Sequence, residues 1–138
     1  MLFSVIGFLI ILGPLVIVHE FGHYIFARLF NVKAEIFSVG FGPRLWCKQL
    51  GETELRISAI PLGGYVKLLG EDRDAPLSPE ESKRALHKAA AWKRFFIFLG
   101  GPLFNFLFAI FVFMVILAYG ENQVSSRVGR VVDGSVAQ

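Results

Sequence analysis

Two long apolar blocks enclose a polar middle. From Leu2 to about Phe30 apolar residues run almost unbroken, and Phe95 to Tyr119 is a stretch of 25 residues without a charge. Each block is long enough to cross a bilayer as a helix. A helix over the first block would measure about 43 Å, more than the hydrocarbon thickness, so it should tilt or emerge on one side. Pro14 lies in its middle and cannot donate to the carbonyl of residue 10, which predicts a kink one turn before His19. That kink is either a tolerated membrane proline or a hinge. The segment 1–18 has no charge and no small-residue cleavage site, and its apolar character continues beyond it, unlike a removable signal peptide.

The middle changes period. Phe37, Val39 and Phe41 alternate with Ser38 and Gly40, and Gly42-Pro43 is expected to turn the chain. Leu55, Ile57 and Ala59 then alternate with Glu54, Arg56 and Ser58 after a tight turn near Gly51, the pattern of a small antiparallel β unit. Ile60-Pro61-Leu62-Gly63-Gly64-Tyr65-Val66 is apolar but rich in helix breakers. It reads either as a segment dipping back into the membrane or as an ordinary hairpin. Glu71, Asp72 and Asp74 fall in a turn-rich, solvated loop. Ser78-Pro79-Glu80-Glu81 opens a short helix with Ser78 as N-cap and Glu81 completing a capping box. That helix is expected to carry His87 as an inert surface residue. Trp92, Lys93 and Arg94 anchor the second block at the interface. After Gly120 the chain turns polar, with a strand expected over 127–132, a turn at Asp133-Gly134 and an N-cap at Ser135.

The fold class is therefore membrane α-helical, with two transmembrane helices joined by a cytoplasmic or membrane-associated β-hairpin segment. The expected divisions are 1–30, 31–69, 70–94, 95–119 and an incomplete domain from 120 to 138. Composition agrees: of 138 residues 54% are hydrophobic, including 15 Phe, and only 18% are charged. The mean hydropathy is +0.58. Soluble domains carry less apolar and more charged residue than this. The net charge of +3 comes with no basic stripe interleaved with stacking aromatics, so nucleic acid is not an expected partner. Cys47 is alone, which rules out an intrachain disulfide and a cysteine metal site. Eleven of the Lys and Arg residues lie between 31 and 94. The positive-inside rule places that loop in the cytoplasm and both ends of the chain outside.

The chemistry sits inside the first apolar block. His19-Glu20-Phe21-Gly22-His23 is an H-E-x-x-H pattern. On a helix, residues four apart share a face, so both imidazoles can address one ion. Two neutral imidazoles, a third ligand and a water make an open zinc site, and Glu20 can reach that water as a general base. Ionisable groups at such depth usually mark a function. The plainer alternative is a hydrogen-bonded histidine pair near the interface, with Glu20 reaching outwards. In the second block, Gly100-Gly101-Pro102 permits close helix approach, and Asn105 needs a partner inside the membrane. Asn105 either packs the helices together or handles substrate.

Taken together these motifs resemble the site-2 protease family of intramembrane zinc metalloproteases, in its bacterial branch with PDZ domains. The likeness rests on His19-Glu20-Phe21-Gly22-His23, Phe41-Gly42-Pro43, Pro61-Leu62-Gly63-Gly64-Tyr65-Val66, and Gly101-Pro102-Leu103-Phe104-Asn105 as a G-x-x-x-N motif. Arg127-Val128-Gly129-Arg130-Val131-Val132-Asp133-Gly134-Ser135 is similar to the opening of a PDZ domain. The resemblance implies Zn2+ as cofactor, His19 and His23 as metal ligands and Glu20 as the catalytic residue. It implies substrate contact by Gly101, Asn105, Gly63 and Gly64. Its substrates would be single-pass helical membrane proteins, such as a membrane-bound anti-sigma factor, cut in the bacterial inner membrane. The family's third ligand is an aspartate in an L-D-G motif on a later helix, and neither that motif nor an N-x-x-P stretch occurs here. The chain thus looks like the N-terminal portion of a longer enzyme, expected to be inactive alone. The competing reading is a non-catalytic membrane scaffold whose helices and β segment recruit partners.

Overall fold

The computed structural model of the protein describes residues 2–73 and 75–120. The expected strand over 127–132 and the domain opening lie outside the described residues. The order of elements is α1 (Leu2–Leu29), β1 (Ala34–Leu50), β2 (Thr53–Leu68), α2 (Pro79–Ser82), a 3-10 turn (Leu86–Lys88) and α3 (Ala91–Tyr119). Helices α1 and α3 are both long and apolar enough to cross a membrane. Phe106, Phe111, Phe113 and Leu117 of α3 stand exposed, as do Phe8, Ile10 and Ile11 of α1. So much bare apolar surface is at home only against lipid or another protein. Helix α1 runs through Pro14 as one element.

Helix α1 ends in a way that aims the chain at the sheet. Asn31 takes a positive φ of 61°. The Val32 N–H reaches the Ala27 carbonyl at 2.8 Å and the Asn31 N–H reaches that of Arg28 at 3.2 Å. This paired closure is a Schellman motif, with asparagine at the left-handed position. Ala27 and Val32, brought together by it, are both buried and join Ala34, Leu68, Leu86 and Ile97 in one cluster. That cluster is the junction of α1, the sheet, the 3-10 turn and α3.

The sheet is more folded than a hairpin. Strands β1 and β2 pair antiparallel, but residues 36–39 each have two partners. On one side Ile36, Phe37, Ser38 and Val39 face Lys67, Val66, Tyr65 and Gly64 in opposing order. On the other side the same four face Glu54, Leu55, Arg56 and Ile57 in ascending order. Trp46 to Leu50 then return along Ile57 to Thr53. The two strands therefore make four segments, with 34–39 inside and 64–68 at one margin. Gly40 and Gly42, at φ of 90° and 82°, supply the bend. Thr53 Oγ1 donates to the Ala34 carbonyl at 2.8 Å, and the Ser38 and Ser58 hydroxyls pair at 3.2 Å. Both contacts are buried and fasten the inner segments together.

Three expectations need correction here. Gly42-Pro43 does not end a strand, because β1 continues through it to Leu50. Ile60 to Val66 is not a separate hairpin but part of β2, in which Ile60, Gly64, Tyr65 and Val66 pair with Phe41, Val39, Ser38 and Phe37. The capping box at Ser78 and Glu81 is present as expected, yet the helix stops at Ser82. His87 lies in the 3-10 turn instead, partly buried, with Nδ1 at 3.0 Å from the Gly70 carbonyl. It closes the connecting loop and is not idle.

Candidate metal centre

Helices α1 and α3 cross at glycine. A Cβ on Gly100 would meet the Gly22 carbonyl oxygen at 2.6 Å, and one on Gly22 would run into the Gly100 carbonyl. Gly22 is the fourth residue of the H-E-x-x-H pattern, so the motif carries its own point of close approach. Around it the two helices interlock aromatics: Phe26 stacks on Phe96, and Phe104 packs edge-on to both Phe21 and Phe26.

The close crossing places both histidines against α3. Their rings lie edge to face with centroids 4.8 Å apart. Position 101 is where they converge: a Cβ built on Gly101 would lie 2.6 Å from His19 Nε2 and 2.6 Å from His23 Nε2. The missing side chain of Gly101 leaves a gap that two ring nitrogens share. The opposite ring nitrogens are both engaged. His23 Nδ1 is 2.7 Å from the Ile97 carbonyl oxygen, and His19 Nδ1 is 3.1 Å from Asn105 Nδ2. Since a carbonyl can only accept, His23 must carry its proton on Nδ1, and its Nε2 lone pair is free for a metal.

Glu20 points elsewhere than its neighbours. Its Oε2 accepts from the Val66 N–H at 3.2 Å, and its Cγ lies 3.7 Å from where a Gly64 Cβ would be. Val66 is on the marginal segment of the sheet, so the acid is steadied by a strand edge while the imidazoles are held by a helix. A cavity of about 170 Å³ opens beside His23 and is lined by Val66, Leu68, Glu71, Ile97 and Phe98.

Of the residues singled out in the sequence, His19, His23 and Gly101 meet at one gap, Asn105 touches the far ring nitrogen of His19, and Gly64 lies against Glu20. Gly63 does not: at φ of 150° it packs under the Phe41 ring, 2.6 Å from a would-be Cβ. Glu71 and Asp72 are exposed, and Asp74 lies outside the described residues. Among the described residues no group of three or more His, Cys, Asp or Glu could hold a metal. The donor set present thus suits zinc with two imidazole ligands and leaves the third to be supplied. Sequence reasoning missed the Ile97 carbonyl and the Val66 N–H. Every residue has those atoms, so no side-chain pattern marks them.

The family model of peptidase family M50 matches residues 7–136. A protein of Vibrio cholerae provisionally named a zinc metalloprotease is 48% identical over 139 residues, covering 99% of this chain and 30% of that protein. The Escherichia coli K12 regulator of sigma-E protease RseP is 42% identical over 138 residues, again 99% of this chain and 30% of the relative. A Thermotoga maritima protein, also provisionally named a zinc metalloprotease, is 42% identical over 112 residues, 81% of this chain and 22% of its own. The chain spans at most about 30% of the length of these relatives.

Proposed function

The chain belongs to peptidase family M50, the site-2 protease family, and from that premise we propose that it carries two of the zinc ligands and the general base of an intramembrane protease. The observation that supports this best is the convergence of His19 Nε2 and His23 Nε2 on the gap at Gly101. His19 and His23 would hold Zn2+. When bound, zinc supplies a Lewis acid that polarises the scissile carbonyl and makes water easier to deprotonate. Glu20 takes the proton of the attacking water and delivers it to the leaving amine. The Val66 N–H keeps Glu20 from swinging on to the metal as a ligand.

The substrate class in this reading is a single-pass helical membrane protein, an anti-sigma factor for instance. A peptide bond inside a helix is shielded by its own hydrogen bonds, so the substrate must be opened. The marginal segment 64–68, adjoining Glu20 through Val66, suits an extended chain added as one more strand. Gly64, Gly63 and Asn105 are included in this proposal as substrate contacts. The polar segment 31–94 is assigned to the cytoplasm on its positive charge, in a bacterial inner membrane. The described residues, offering two imidazole ligands, would by themselves bind zinc weakly and cleave nothing.

The test is Glu20→Gln in the complete protein, reconstituted with a helical membrane substrate. Zinc content should stay near that of the parent while cleavage disappears. Retained cleavage rejects the role of Glu20 and favours the scaffold reading.

A further inference from the structure

We propose that Asn105 is a positioning residue for the metal centre: its carboxamide oxygen accepts the Nδ1 proton of His19 and so holds the Nε2 lone pair of that ring toward the Gly101 gap. This rests on the reading of His19 and His23 as zinc ligands.

The two rings must present their lone pairs to the same gap. A neutral imidazole has one N–H, and if Nε2 is to bind a metal the proton must sit on Nδ1. For His23 the Ile97 carbonyl enforces this at 2.7 Å. For His19 the facing group is the Asn105 carboxamide, 3.1 Å from Nδ1. A carboxamide can serve either way, because its two ends are nearly the same size and a half-turn exchanges them. With Nδ2 toward the ring, His19 Nδ1 must accept, the proton moves to Nε2, and that hydrogen is aimed into the gap. The two histidines would then present opposite faces to one site. With Oδ1 toward the ring, both lone pairs face the gap.

As placed, Asn105 Oδ1 is buried and meets no donor. A half-turn puts Nδ2 there and brings Oδ1 against the ring. What decides is the work His19 has to do, and metal-binding histidines generally donate their second N–H to an oxygen. The role explains why an amide is placed one helical turn beyond Gly101. The glycine leaves the gap, and the next residue on the same face of α3 sets the ring that lines it.

The test uses the full-length protein with Asn105→Asp, which can only accept, and Asn105→Leu, which is of similar size and can do neither. In the zinc-free parent, 15N spectra of labelled histidine should show both His19 and His23 protonated at Nδ1. Asn105→Leu should shift His19 toward the Nε2-protonated form and leave His23 unchanged. Zinc affinity, measured by chelator competition, should fall about 10- to 100-fold in Asn105→Leu and return close to the parent in Asn105→Asp. A simple packing role predicts no rescue by aspartate and no change of tautomer. The proposal is overturned if His19 of the zinc-free parent carries its proton on Nε2, or if Asn105→Asp binds zinc as poorly as Asn105→Leu. Should His23→Ala leave zinc binding of the parent intact, the metal-site reading fails and this proposal fails with it.

Discussion

His23 Nδ1 lies 2.7 Å from the carbonyl oxygen of Ile97, so a ring on α1 is oriented by a main-chain atom of α3. No side-chain substitution at position 97 can remove that acceptor. It is lost only if the helices separate, and their separation is set by Gly22 and Gly100. Gly100→Ala should therefore act on the metal centre from a distance. The new methyl would meet the Gly22 carbonyl oxygen and the Phe26 ring, both at 2.6 Å. Overpacking of this sort typically costs about 1–3 kcal/mol. Thermal unfolding of the full-length protein should show that loss, together with weaker zinc retention on dialysis. An unaltered unfolding temperature would mean the crossing is looser than the distances indicate.

Gly101→Ala should cost less stability than Gly100→Ala. The nearest atoms its methyl would meet are the far ends of two side chains, His19 and His23. The rings must shift against their Nδ1 contacts with Ile97 and Asn105, and the preference for alanine over glycine in a helix, about 1 kcal/mol, offsets that strain. The zinc-free protein should stay close to the parent in stability, while zinc affinity falls at least about tenfold as the nitrogens are driven apart. Calorimetry of the zinc-free form and chelator competition, run side by side, separate these two effects. Stability and affinity moving together would contradict the assignment of the gap.

The sequence is informative where one side chain or one stretch of chain is enough. Both apolar helices follow from length and hydropathy, the capping box at Ser78 and Glu81 from local chemistry, and the histidine pair from its spacing. The Asn105 amide was recognisable as needing a partner, and that partner is His19. What stayed hidden depends on pairings between distant segments. Residues 36–39 read as one half of a hairpin, yet they are paired on both sides. This double pairing carries β1 past Gly42-Pro43 and draws Ile60 to Val66 into the sheet. His87 likewise reads as a lone surface residue until Gly70 folds against it.

The loop on the polar side should loosen in acid. Arg84 bonds both carboxylate oxygens of Glu52, at 2.6 and 2.7 Å, across the turn between β1 and β2. That guanidinium, more than the positive field of Lys33 and Arg28, holds Glu52 below its ordinary value of 4.5. A carboxyl with a depressed folded value contributes stability above the ordinary value and loses it as pH falls through the folded one. The Arg84 carbonyl also accepts from the Lys33 N–H at 3.1 Å, so the bridge and the backbone are joined. Hydrogen exchange at Lys33 should quicken relative to the helices as pH drops below 4.5. Glu52→Gln should remove that relative change. The pair is exposed, so added salt should weaken the effect.

Gly64 and Gly63 are neighbours with opposite surroundings, and comparing them tests whether the sheet margin steadies the acid. A Cβ on Gly64 would lie 2.5 Å from the Ser38 carbonyl oxygen, a backbone atom of the inner segment that cannot move aside. The 64–68 segment must shift, and the Val66 N–H, 3.2 Å from Glu20 Oε2, shifts with it. The nearest atoms to a Cβ on Gly63 are at the outer edge of the Phe41 ring, although its φ of 150° adds backbone strain. Both alanine variants should lose some stability. Only Gly64→Ala should release Glu20, lowering kcat while zinc content stays near that of the parent. A displacement that small can still matter, since loss of alignment by about 1 Å at a reacting centre can cost about a hundredfold in rate. Gly63→Ala should keep its turnover per folded molecule, apart from any change in KM from a disturbed strand edge. Equal loss of kcat in both variants would show that the sheet acts through its general stability, with Glu20 oriented from elsewhere.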